Sequence, residues 1–186
     1  MNTAALVDEL AATRIGQTFN QYGEGERADV LCERLVAYLA VRADAPLLLV
    51  GEAAGYRGAR ISGIPFTSER QLTGGGPAEA TATVVQRVLR LFDIADDVLL
   101  WNVVPTHPGT WSSNRRPTRA EVEAGLPFVT RLARGRRVVA VGRVAEAALG
   151  APYVRHPAHG GATAFADMLG AATQARRADQ RSATGP

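Results

Sequence analysis

Six side chains able to do chemistry lie in polar, glycine- and proline-rich segments that follow apolar runs: Glu52, Phe66, Asn102, His107, His156 and His159. A carboxylate and imidazoles can exchange protons with a ligand. An amide presents a donor and an acceptor side by side, and an aromatic plane can stack on a flat ligand. All 3 histidines of the chain belong to this set. If the segments open on one edge of a sheet, their convergence is the default active-site hypothesis. Each residue also has a plainer reading. Glu52 can cap a turn or pair with an arginine, Phe66 can be core, and Asn102 can satisfy loop backbone. His107 precedes a proline in a loop and reads as solvated or structural, while His156 and His159 can be ordinary loop residues.

Composition removes several chemistries. The chain has 186 residues, 46% of them hydrophobic and 21% charged. That suits one soluble domain with a real core. The lone cysteine, Cys32, cannot form an internal disulfide, a thiolate-held iron–sulfur cluster or a cysteine zinc site; it sits among apolar helix positions and reads as core. All 21 basic residues are arginine, so no side-chain Schiff base can form. The histidines lack metal-ligand spacing. There is no G-x-G-x-x-G, no Walker sequence and no G-x-S-x-G elbow. No metal and no cofactor are therefore expected. The net charge of +3 and pI near 9.6 permit phosphate binding without demonstrating it. No apolar run reaches the ~20 residues of a membrane helix, and MNTAALVDEL lacks the features of a signal peptide. The expectation is a cytoplasmic, nucleoid-associated monomer with no membrane contact.

The positioning elements follow from periodicity. Helices are predicted over 3–14 and 27–42, where Leu31, Leu35, Val36 and Leu39 recur at helical spacing. LLLV (47–50), VLLWNVV (98–104) and RRVVAVG (136–142) read as buried parallel strands, with a fourth, short one in PYVRHPAHGG. Pro77 opens a helix with Val84, Val85, Val88, Leu89 and Phe92 inward. PTHPGTWSSNRRP (105–117) reads as loop. Thr118 and Glu121 have capping-box spacing, predicting a helix over 119–133. Short helices follow at 143–150 and 162–173. Alternation of strand and helix predicts an α/β three-layer sandwich around a four-stranded parallel sheet. It forms a single domain over 1–173, ahead of a polar, disordered tail over 174–186. Ligands bind outside the carboxyl ends of such strands.

GEAAG after an apolar strand, GIPF a little later, WNVVP ending the next long strand and HPAHGG near the C-terminus resemble the uracil-DNA glycosylase superfamily in order and spacing. The resemblance covers about residues 47–165. It implies the family's parallel sheet with flanking helices. It also implies a monofunctional glycosylase that hydrolyses the N-glycosidic bond of uracil in DNA for base excision repair. Glu52 and Ala53 match positions that orient or activate water, Phe66 the aromatic that stacks on the flipped base, Asn102 the amide that reads its edge, and His156 the histidine that steadies the leaving base. His159 and Gly160 would belong to a loop pressed into the minor groove, and Arg115, Arg116 and Arg119 would contact phosphates.

The pattern departs from the family in places. Ala53 stands where some branches have Asp or Asn, Ala54 where GEAPG has proline, and Ala158 where HPS has serine. The cysteines of the cluster-bearing GEAPG branch are absent. Gly55 falls where GQDPYH has a tyrosine that excludes the thymine methyl, which predicts room for other deaminated bases, purines included. SSNRRPTRAE resembles a basic loop whose histidine forms a covalent DNA adduct in one branch. No histidine follows Arg115 and Arg116 here, so no adduct is expected, His107 being the nearest candidate. The rival readings are a non-catalytic DNA- or nucleobase-binding protein of this fold and an unrelated α/β hydrolase or transferase.

Overall fold

The structure is a computed structural model that describes residues 2–183, with side chains through residue 173. Two helices, α1 (Thr3–Ala12) and α2 (Ala28–Val41), lead into β1 (Leu47–Ala53). The glycine-rich stretch after β1 is not featureless: it folds into α3 (Ala59–Ser62) and α4 (Glu69–Thr73) before α5 (Ala80–Leu91). Then come β2 (Val98–Val104), a two-stranded hairpin β3 (Gly109–Thr110) and β4 (Ser113–Asn114), α6 (Arg119–Ala133), β5 (Arg137–Val141), α7 (Arg143–Leu149), β6 (Tyr153–Val154) and α8 (Ala162–Ala183).

The sheet has four strands in the order β2-β1-β5-β6, every pairing parallel. Alternate strand residues face opposite layers. Leu48, Val50, Leu99, Trp101 and Ala140 pack with side chains of α1, α2, α6 and α7. Leu47, Leu49, Leu100, Val139 and Val141 pack against α5 and α8. Burial on both faces explains why LLLV shows no polar alternation. The predicted three-layer sandwich is the fold observed.

The capping box at Thr118 and Glu121 is formed, with the Thr118 hydroxyl accepting from Glu121 N and the Glu121 carboxylate accepting from Thr118 N. The segment read as loop over 105–117 contains the β3–β4 hairpin. Gly109, at φ 129°, lets the two arms close: a Cβ there would stand 2.3 Å from the Ser113 carbonyl oxygen. The helix α8 continues past 173 into the segment expected to be a disordered tail, whose residues 184–186 lie outside the described residues.

The chain runs from β1 outward to β2 on one side, then returns to β5 and β6 on the other. The winding direction thus reverses between β1 and β5. Loops leaving the two strands part there, and a crevice opens at their carboxyl ends.

Candidate active site

A cavity of about 360 Å³ lies at that crevice. The carboxyl end of β1 supplies Glu52, Ala53, Ala54 and Gly55, and the loop after β6 supplies His156, Ala158 and His159. Glu52 is half-buried in the last turn of strand pairing. Burial pushes its carboxyl above the usual carboxylate range, and the Arg116 guanidinium pulls it back down. Arg116 makes no ion pair among the described residues.

His156 is oriented by its own loop. Its Nδ1 accepts the Ala158 backbone N–H at 3.2 Å. A ring nitrogen that accepts is unprotonated, so the neutral ring carries its proton on Nε2. Burial, and secondarily the neighbouring His159, hold the ring below the usual histidine range, which favours that neutral form. Gly142, just past β5, packs its bare Cα face against the imidazole, with His156 Cβ 3.5 Å from where a Cβ would stand. His159 itself lies at φ 52°, a conformation that costs a non-glycine residue about 1–3 kcal/mol and clusters at functional sites. Gly160 follows in the adjoining turn at φ 74°.

Phe66 and Asn102 do not line this cavity. They meet behind it, at Gly51, the residue before Glu52. Parallel pairing sets Gly51 beside Asn102. A Cβ on Gly51 would stand 2.4 Å from Phe66 Cζ and 2.8 Å from Asn102 Oδ1. The ring is 7% exposed and Asn102 4%. The Asn102 amide has no hydrogen-bond partner among the described residues, yet its atoms are not sealed from solvent. Phe66 also holds a strained φ of 52°. Gln86 Nε2 donates to its carbonyl at 3.2 Å and to Thr67 Oγ1 at 3.1 Å, and Ser62 Oγ donates to Thr67 O at 2.6 Å. These bonds hold the strained turn in place.

His107 is structural. It is buried, with Nδ1 2.8 Å from the Ala54 carbonyl oxygen and Nε2 2.7 Å from that of Thr110. The ring bridges the end of β1 to the hairpin, and neither nitrogen is free to attack DNA. The basic loop also differs from expectation. Arg115 lines the cavity but holds Glu121 through two bonds of 2.8 and 2.6 Å, and Arg119 pairs with Glu123 at 2.7 Å. Of the three arginines, Arg116 alone is without an ion pair among the described residues. Cys32 is half-buried and its thiol points at the Tyr22 carbonyl, 3.2 Å away.

Gly55 does not open onto empty space. Glu79, the residue preceding α5, places Oε1 2.5 Å and Oε2 1.9 Å from where side-chain carbons on Gly55 and Gly58 would stand. The room inferred at Gly55 is filled by a carboxyl from another element. Sequence reasoning missed Glu79: its only local signal is an acid at a helix N-cap, where Ser, Thr, Asp and Asn are the usual choice. It also missed Trp111, 79% exposed at the hairpin tip. Among the described residues, no group of three or more His, Cys, Asp or Glu could hold a metal ion. No described helix is long and apolar enough to cross a membrane.

The family model described as uracil DNA glycosylase superfamily matches residues 40–177. Among solved structures, the wild-type SMUG2 of Pedobacter heparinus superposes with a TM-score of 0.67 at 15% identity, covering 95% of this chain and 99% of that one. No curated protein sequence matches the chain.

Proposed function

The chain belongs to the uracil DNA glycosylase superfamily, and from that premise we propose that it is a monofunctional DNA glycosylase removing uracil from DNA. A base stacked in a duplex is out of reach, so the nucleotide must be extruded into the crevice. Phe66, behind the cavity at Gly51, offers the stacking plane once the base passes beyond the residues that line the crevice. The unpartnered Asn102 amide matches the N3–H and O4 of uracil.

The observation that carries the reading is the His156 tautomer. With Nδ1 engaged by Ala158 N–H, Nε2–H is left to donate to O2 of the base. As the C1′–N1 bond breaks, its electron pair moves into the base and its charge reaches O2, where that donor steadies it. One aimed donor of this kind is worth about 3–4 kcal/mol at an oxyanion. The sugar becomes cationic at C1′. Glu52, in the same cavity, steadies that charge and takes a proton from the water that adds there, leaving an abasic sugar and a uracil anion that takes up a proton from solvent on release. With no lysine in the chain, strand cleavage through a side-chain imine cannot follow.

Incubation with a labelled uracil-containing oligonucleotide, followed by alkali, tests the proposal. Alkali-dependent strand breaks at the uracil support it. Binding without breaks favours the second reading, a non-catalytic DNA- or nucleobase-binding protein, which Ala53 and the deep burial of Phe66 and Asn102 support.

A further inference from the structure

Glu79 is a second carboxyl on the cavity wall, and nothing in the reaction above uses it. It stands at the N-cap of α5 but makes no capping hydrogen bond. No ion pair or side-chain hydrogen bond satisfies it among the described residues. Helix capping therefore does not explain its position. Two close approaches do: the carboxyl is packed against the bare backbone of Gly55 and Gly58, at distances that leave no room for a side chain on either. In this arrangement the bare backbones of both glycines accommodate the Glu79 carboxyl. Burial raises its carboxyl above the usual range, with no arginine opposing the rise.

The reading above fixes two edges of a bound uracil, N3–H/O4 at Asn102 and O2 at His156. The edge left over carries C5 and C6. Gly55 and Glu79 build a part of the cavity wall that the reaction does not use. We propose that the Glu79 side chain is the specificity-determining wall of the base pocket, closing the space beside Gly55 against substituents at C5. The inference rests on the glycosylase reading for the orientation of the base. A protein with glycine at 55 then still rejects thymine, because the barrier comes from α5 instead of from the first motif.

The experiment compares wild type, Glu79→Ala and Glu79→Gln on oligonucleotides carrying uracil, 5-bromouracil or thymine opposite guanine. Wild type is expected to prefer uracil. Glu79→Ala should reduce that preference by at least about tenfold, the scale on which a pocket discriminates a methyl-sized group. Glu79→Gln, which keeps shape while losing the titratable proton, should retain it. An unchanged preference in Glu79→Ala overturns the inference, and so does a loss of cleavage equal for all three bases, which would make Glu79 part of the chemistry. If wild type cleaves none of them, the glycosylase reading fails on its own. Ligand-observed NMR with free uracil and 5-bromouracil then decides the wall: 5-bromouracil binding gained in Glu79→Ala sustains it, and identical binding in both proteins removes it.

Discussion

Gly51 lies directly against Phe66: a single added carbon on the glycine would stand 2.4 Å from the ring's Cζ. The same carbon would crowd Asn102 Oδ1 at 2.8 Å. Three elements meet at this point, and only the absence of a side chain lets them. Glycine here also lacks positive φ, so an alanine is acceptable to the backbone and strains only the contact.

Gly51→Ala should therefore fold but misplace the stacking plane and the amide together. Overpacking of this kind costs about 1–3 kcal/mol. The expected result is a modest fall in Tm with a loss of glycosylase activity of at least about a hundredfold, in line with the sensitivity of reactions to misplacement near 1 Å. Activity within a few-fold of wild type would mean that Phe66 and Asn102 do not handle the base.

His156→Ala should lower kcat by about 10²–10³, the loss seen when one oxyanion donor is removed. The pH profile tests the partner group. Glu52 must be ionised to accept a proton, and burial raises its pKa above 4.5 while Arg116 opposes the rise. Activity should fall as pH drops through that raised value. Arg116→Ala removes the opposing charge, so the acid limb should move to higher pH. A limb that stays in place would show that another group controls it.

The Arg115–Glu121 pair makes a stability prediction. Glu121 is 1% exposed and accepts from Arg115, from Thr118 N and from Gln17 N. The Arg115 bond, then the backbone bonds, hold its pKa down at about 2, against an ordinary 4.5. A depressed acid stabilises the fold fully above its unfolded value and loses that contribution as pH falls through the folded one. Wild type should lose Tm from pH 4.5 down towards 2, and Glu121→Gln should flatten that part of the curve. Arg115→Ala, which leaves the Glu121 carboxylate with its two backbone donors alone, should cost about 1–3 kcal/mol, Arg115 being partly exposed. An unaltered melting temperature in that variant would remove the anchor role.

The parts of this molecule visible in sequence are those set by local pattern. Continuous apolarity in LLLV reported a strand buried on both faces, and Thr118 with Glu121 reported a helix start that the structure forms. Glu52 and His156 were legible because strand ends in a parallel sheet share one edge. Contacts between distant segments left no such trace. Gly55 looked like vacancy because the side chain that fills it comes from 24 positions later in the chain. Arg115 looked free because its partner is buried in a helix start six residues on. His107 read as solvated or structural, and the two carbonyls it ties, 53 and 3 residues away, decide for the structural reading.

Trp111 offers a direct view of DNA on this face. The hairpin that carries it is tied down next to the cavity: Arg60 Nη2 donates to the Trp111 carbonyl at 2.9 Å, and Asn114 Oδ1 accepts Tyr56 N–H at 2.9 Å. Asn114 and Pro108 line the cavity from the same hairpin. The other tryptophan, Trp101, is fully buried, while Trp111 is 79% exposed. Changes in intrinsic fluorescence on adding an oligonucleotide therefore report Trp111. Quenching, with reduced access of acrylamide, is expected if DNA lies across the hairpin to deliver a base to the cavity. Base–aromatic stacking is worth about 1–3 kcal/mol, so Trp111→Ala should weaken DNA binding by about fivefold to a hundredfold. DNA that binds by anisotropy but leaves Trp111 emission and acrylamide access untouched would approach from elsewhere, and the route from duplex to cavity over β3 and β4 would be wrong.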